Sequence, residues 1–212
     1  DILGLSSYFW NLNLGVYIAK KIKTLNKDVV VAIGGPNVDI DAEEQLKLYN
    51  KFDNNLDCLV VNEGESGFAN IVERRIGQVR EGFLTAPIDG CTFYLNNDVP
   101  ITGKNIGLST DLTMVPSPIL NGMLDEFLTP DFFPLIQTSR MCPYQCSYCC
   151  SGKSNGKIRV FPKEVVKMEI EYIAKKYKQF PYKILEVVDE NFGISKRDEL
   201  IADYLIDSTK KN

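Results

Sequence analysis

The 212-residue chain contains no histidine. The commonest general base near neutral pH and the commonest zinc ligand are therefore both missing. Net charge is also scarce, at −4, which gives no general pull toward nucleic acid or an anionic membrane. No apolar run reaches the roughly 18–20 residues that span a bilayer. A secretory signal is absent too: the chain opens on "DILGLSSYFW", without an initiator Met or a basic leading segment. That opening reads as the middle of a domain, so the sequence is expected to be a fragment of a longer protein. Internal repeats and low-complexity runs are lacking. Six cysteines in 212 residues are too few for a small disulfide scaffold and suit a reducing, cytoplasmic compartment. What remains is ordinary globular composition, 44% apolar and 25% charged, enough for one large domain or two small ones.

Strand and helix signals alternate over the first third. "ILGLSSY" is a short apolar run. In "NLGVYIAKKIKTL", Leu14, Ile18, Ile22 and Leu25 fall on one helical face with lysines opposite. "DVVVAIGGP" is a β-branched run stopped by Gly-Gly-Pro, the pattern of a buried strand. A polar helix is expected over 39–50. "LDCLVVNEGESGF" is another strand with a Gly-containing turn, and a helix follows from about Ser66 to Glu81. This order predicts a doubly wound parallel sheet, which binds ligands outside the carboxyl ends of its strands. Those ends are "SSYFWN", "GGPN" and "NEGES". "CTFYLNNDVPI" reads as a hairpin turning at Asn96-Asn97-Asp98, and "VPSPILNG" and "LTPDFFP" as Pro-rich connectors, with a boundary near 110–133. The alternation then restarts: strand "PLIQTS", a long loop over 140–162, a helix with Val166, Ile170, Ile173, Ala174 and Tyr177 as its buried stripe, strand "YKILEVVDENF", and a last helix. The expected division is 1–85, a linker with hairpin over 86–133, and 134–212.

Four of the six cysteines crowd into "CPYQCSYCC", positions 142–150. Cys58 in "DCLVV" and Cys91 in "CTFYL" read as small buried hydrophobes. Cys142, Cys146 and Cys149 are spaced C-x3-C-x2-C. A structural zinc site wants four ligands, and neither a histidine nor a second C-x2-C is present. A ferredoxin-type cluster wants four thiolates, usually with a distal Cys-Pro. Three thiolates can instead hold three irons of a [4Fe–4S] cluster and leave the fourth open to a ligand. The loop lies between a strand and a helix, so such a cluster would sit at the C-terminal mouth of a parallel sheet.

"CPYQCSYC" after "PLIQTSR" resembles the radical S-adenosylmethionine (SAM) superfamily. "DILGLSSYFWNLN", "VVVAIGGPNV" and "DCLVVNEGESGF" resemble the later half of the cobalamin-binding domain that precedes many radical SAM barrels, and "DLTMVPSPIL" fits the same subclass. The resemblance covers nearly the whole chain. It implies an α/β chain: a Rossmann-like cobalamin-binding domain over 1–85, lacking its N-terminal part, and the start of a radical SAM (β/α) partial TIM barrel over 134–212, lacking its C-terminal part. The implied cofactors are a [4Fe–4S] cluster on Cys142, Cys146 and Cys149, SAM on its open iron, and cobalamin. By the same resemblance Tyr148 packs near the adenine end of SAM. Asp189 and Glu190 accept from its ammonium. Arg140 and Arg159 read as surface or loop-bracing charges, with flanking the site as the alternative. Ser6, Ser7, Gly34, Gly35, Pro36, Glu63, Gly64 and Glu65 line the cobalamin tail and corrin edge. Glycines let backbone approach a bulky ligand, and small hydroxyls pair with its polar rim. The Asp-x-His-x-x-Gly motif with which some cobalamin domains ligate cobalt is absent.

The implied activity is SAM cleavage to a 5′-deoxyadenosyl radical, followed by methylation or cyclisation of an unactivated carbon, with methylation favoured. The expected partners are a small-molecule or peptide substrate and an external electron donor, without nucleic acid or membrane. Two other readings stand beside it. One is a radical SAM methylthiotransferase, whose N-terminal domain normally carries three further cluster cysteines. The other is a non-catalytic corrinoid- or metal-binding module.

Overall fold

The computed structural model describes residues 1–76, 80–83, 85–95, 99–109, 111–144, 146–149, 157–181 and 184–211. The hairpin tip at 96–98 and Cys150 lie outside the described residues. The chain divides into two compact units, Asp1–Ser109 and Thr110–Asn212.

In the first unit β1 (Ile2–Ser6), β2 (Val30–Gly34) and β3 (Cys58–Val60) pair in parallel, in sequence order. They are connected by α1 (Leu12–Leu25) and α2 (Ala42–Asn50). After β3 come α3 (Gly64–Arg75) and the short α4 (Arg80–Phe83). Residues 86–109, expected in a linker, belong to this unit. β4 (Cys91–Leu95) pairs antiparallel with β3, and β5 (Val99–Thr102) with β4. The sheet is thus parallel for three strands and closed by an antiparallel hairpin on the free edge of β3.

The unbroken apolar run of β2 follows from burial on both faces. Val30 and Ala32 pack with Cys58, Ile71, Phe83 and Phe93 on one side. Val31 and Ile33 pack with Ala19, Leu48, Phe52 and Leu59 on the other. The helices therefore cover both faces: α1 and α2 on one, α3 and α4 on the other. α2 starts at a side-chain cap, because Asp41 Oδ1 accepts the N–H groups of Glu43 (2.9 Å) and Glu44 (3.1 Å).

The face of α1 differs from the expected Leu14–Ile18–Ile22–Leu25 stripe. Leu14 and Leu25 are exposed, and the buried positions are Gly15, Ala19 and Lys23. The reason is a buried ion pair. Lys23 Nζ lies 2.5 Å from Asp57 Oδ2 and donates to the Val29 carbonyl at 2.6 Å, while the same Asp57 oxygen accepts from Val31 N–H at 2.7 Å. Turning Lys23 inward rotates the apolar stripe away from Leu14 and Leu25. Asp57 also ties the entry of β3 to β2.

In the second unit β6 (Leu135–Ile136) and β9 (Glu186–Val187) pair in parallel, with α5 (Lys163–Tyr177) between them in sequence. α6 (Lys196–Lys211) follows β9. Val166, Ile170, Ile173 and Tyr177 of α5 pack with Ile136 and Ile201, as their helical spacing predicts. Two further strands, β7 (Ser139–Arg140) and β8 (Arg159–Val160), pair antiparallel inside what the sequence suggests is one long loop. Asp198 holds the entry to α6, with Oδ2 accepting from Gly193, Ile194 and Ser195 N–H at 2.9–3.0 Å.

Breaking the buried ion pair is expected to cost more than any surface pair. Lys23→Met should strand the Asp57 carboxylate and lower stability by about 3–5 kcal/mol. Lys20→Met, which breaks the exposed pair with Asp53, should cost about 0–1 kcal/mol. Urea denaturation of both variants checks the difference.

Candidate cofactor sites

Because β1, β2 and β3 are parallel, the segments after them share one edge of the first unit. The Ser7 backbone bridges two of them: its N–H donates to Gly34 O at 2.7 Å and its carbonyl accepts from Asn37 N–H at 3.3 Å. Gly35 has φ +107°, and a Cβ there would stand 3.0 Å from the Ser7 carbonyl oxygen. Only glycine fits that backbone and that approach. The Ser7 side chain is fully buried, and its Oγ has no hydrogen-bond partner. An orphaned buried hydroxyl is rare, and a ligand with polar edges would satisfy it.

Ser6 is more exposed and accepts from Asn11 Nδ2 at 3.3 Å. Pro36 is exposed. Glu63 precedes the first turn of α3 and accepts from Ser109 N–H at 2.9 Å. Gly64 and Glu65 open α3 at the surface, with nothing within 4 Å of a Cβ built on Gly64. The sequence reading singled out no aromatic here. The structure adds Tyr8 stacked on Trp10, centroids 4.5 Å apart, with the exposed Phe9 edge-on to Trp10 at 4.8 Å. A cleft of about 470 Å³ lies between Phe9, Pro36, Asn37 and α2. An edge of glycine turns, a buried unpaired hydroxyl and exposed flat rings fits a large ligand with a polar rim, which is the chemistry of a corrinoid.

In the second unit the pairing of Ser139 with Val160 and Arg140 with Arg159 closes the base of the cysteine loop. Met141, directly before Cys142, has φ +76°, a strained backbone for a bulky side chain, of the kind that clusters at functional sites. Cys149 N–H donates to Cys146 O at 3.0 Å, so the last two candidate ligands bracket a turn. Cys142 and Cys149 are half-buried, Cys146 is exposed, and none of the three is in a disulfide. Tyr148 is 91% exposed. Among the described residues no group of three acidic, cysteine or histidine side chains converges on a single ion. A cubane cluster does not ask for that, since each thiolate takes a different iron.

The acidic end of β9 meets the start of this loop residue by residue. Asp189 accepts from Thr138 N–H (2.5 Å) and Ser139 N–H (3.0 Å) through Oδ1, and from the Thr138 (2.6 Å) and Ser139 (2.9 Å) hydroxyls through Oδ2. Four donors make this carboxylate a brace between strand ends. Arg197 extends the brace, donating to Thr138 Oγ1 at 3.1 Å and to the Phe161 carbonyl at 2.7 Å. Glu190 is more accessible. Partial burial raises the pKa of its carboxyl from the ordinary value, opposed by the nearby Cys142 backbone N–H and by the Arg159 charge. Asn191 Nδ2 lies 3.6 Å from Cys142 Sγ. Arg140 stacks over Phe161 at 5.4 Å and donates to Gln137 at 3.2 Å. Thr138, Ser139, Asn191 and Arg197 surround the candidate site without having been singled out from the sequence. Thr138 and Ser139 lie within "PLIQTSR" and Asn191 within "EVVDENF", while Arg197 lies in neither.

Cys58 and Cys91 belong to the first unit, on neighbouring strands of its core. The Cys91 thiol, then burial, holds the Cys58 thiol well above its ordinary value. Both behave as inert core thiols.

No family model matches the chain. It is 29% identical over 215 aligned residues, 98% of its length, to the cobalamin-dependent radical SAM methyltransferase TokK of Streptomyces tokunonensis. It is equally similar to a 2-(S-pantetheinyl)-carbapenam-3-carboxylate methyltransferase of Streptantibioticus cattleyicolor. The chain spans about 30% of the length of these curated relatives. Among solved structures, the cobalamin-dependent S-adenosylmethionine radical enzyme OxsB, with aqua-cobalamin and S-adenosylmethionine bound, matches the fold across the whole chain. That match has a TM-score of 0.67 at 17% identity and covers 29% of OxsB. Along nearly its entire length the chain is thus similar in sequence to cobalamin-dependent radical SAM methyltransferases, and its α/β fold is that of the matching part of OxsB.

Two substitutions test the geometry of the sites. Asp189→Ala should leave two backbone N–H groups and two hydroxyls without their acceptor and lower stability by about 2–4 kcal/mol. Gly35→Ala should cost about 1–3 kcal/mol through its strained φ. Thermal unfolding monitored by circular dichroism measures both.

Proposed function

We propose that the chain carries the cofactor sites of a cobalamin-dependent radical SAM enzyme that methylates, or else cyclises, an unactivated carbon. The observation that carries this reading is the cysteine loop. Three cysteines outside any disulfide, spaced C-x3-C-x2-C, sit on a loop whose base is closed by β7 and β8 and whose first cysteine is met by Asn191, just past β9, at 3.6 Å.

When bound, the [4Fe–4S] cluster supplies the electron that cleaves SAM to methionine and a 5′-deoxyadenosyl radical, and cobalamin supplies a carrier for the methyl group. The residues of the chain do the rest. Cys142, Cys146 and Cys149 hold the cluster. Tyr148, with its ring exposed, offers an apolar face to the adenine end of SAM. Glu190 is the better acceptor for the SAM ammonium, because its carboxylate is more accessible than that of Asp189, which already takes four hydrogen bonds. Asp189 acts by fixing the strand ends on which the others stand. Ser7, Gly34, Gly35 and Pro36 form the close approach for cobalamin, while Ser6, Glu63, Gly64 and Glu65 line its rim.

The methylthiotransferase reading loses ground here, since Cys58 and Cys91 are packed into a core rather than presented on a loop. A bare corrinoid module leaves the cysteine spacing and the bracing of Cys142 without a purpose.

The test is anaerobic reconstitution of the full-length protein with iron, sulfide and cobalamin. Wild type should form 5′-deoxyadenosine from SAM under reduction. Cys142→Ala, Cys146→Ala and Cys149→Ala should each abolish it, while Cys150→Ala retains it. Wild-type protein that binds iron and corrinoid but never cleaves SAM would remove the proposal.

A further inference from the structure

We infer that Asn191 is a positioning residue that sets the reduction potential of the cluster through its contact with Cys142, an inference that rests on the function proposed above. Asn191 Nδ2 lies 3.6 Å from Cys142 Sγ, within reach of a hydrogen bond to sulfur. Its backbone lies two residues beyond Asp189, whose carboxylate is fixed to Thr138 and Ser139 at the start of the same loop. That brace holds the segment carrying the amide donor against the segment that leads into Cys142.

The consequence is electrostatic. A thiolate bound to iron donates electron density to the cluster, and reduction adds one further negative charge. An N–H dipole directed at the sulfur stabilises the more negative state and raises the potential. A radical SAM cluster must pass its electron to a bound sulfonium, so the potential at which it is reduced governs how readily the external donor loads it. Asn191 eases that loading without touching SAM.

The experiment is a redox titration of the full-length, reconstituted protein in the absence of SAM, followed by EPR, with iron content measured in parallel. Asn191→Leu removes the donor at similar volume. It should keep the cluster and lower the equilibrium constant for reduction about tenfold, a negative shift of ~59 mV for a one-electron couple. Asn191→Asp removes the donor and adds charge, and should shift further in the same direction. Asn191→Gln, which keeps an amide donor, should return part of the way. A wild-type potential in the Leu and Asp variants, or a positive shift, overturns the inference. So does loss of the cluster in both, because a tuning residue is dispensable for assembly. Failure of wild type to take up iron would instead overturn the function from which the inference starts.

Discussion

The Asp189 carboxylate takes four hydrogen bonds from two consecutive residues, and the geometry of the cysteine loop depends on it. β6 and β9 are only two residues long each, so ladder hydrogen bonds alone hold their ends weakly. The carboxylate supplies what the ladder lacks. It locks the exit of β9 to the segment that becomes β7, and β7 then pairs with β8 to close the loop. With that frame fixed, Asn191 reaches Cys142, and Met141 is held in a backbone conformation that a bulky residue seldom adopts. Strain next to a candidate ligand is tolerated because the surrounding bonds over-determine the chain there.

The first unit solves a different problem, bringing backbone close to a large ligand. β2 is buried on both faces, so its C-terminal end is rigid, and Gly34-Gly35 leaves it at a φ that other residues avoid. The Ser7 backbone lies against that turn and its hydroxyl stays buried and unpaired. Such a cost is normally removed by a partner, and the shared edge of three parallel strands is where α/β sheets place one.

Much of this was legible from local pattern. The β-branched run at Val29–Ile33 reported a two-faced strand. The spacing of Val166, Ile170, Ile173 and Tyr177 matched the buried stripe of α5, and the two isolated cysteines proved to be core residues. The misreadings share a cause, namely pairing between residues distant in sequence. Lys23 looks like a solvent-facing lysine until Asp57, 34 positions on, draws it inward. Arg159 and Val160 look like loop until Arg140 and Ser139 pair with them. Asp189 carries the same acceptor chemistry as Glu190, and only the three-dimensional neighbours separate a brace from an accessible carboxylate. The hairpin in residues 91–102 is legible as a hairpin, but its place in the first sheet, on the edge of β3, rests on main-chain bonds to a strand far away in sequence.

The central claim is that three cysteines hold a cluster with one iron left for SAM. The most direct measurement is the EPR spectrum of the reduced, reconstituted full-length protein before and after adding SAM. The account predicts a [4Fe–4S] signal whose shape changes when SAM binds, because the ligand enters the coordination sphere of the open iron. A signal that SAM leaves unchanged, or a protein that takes up zinc in place of iron on these thiols, would contradict it.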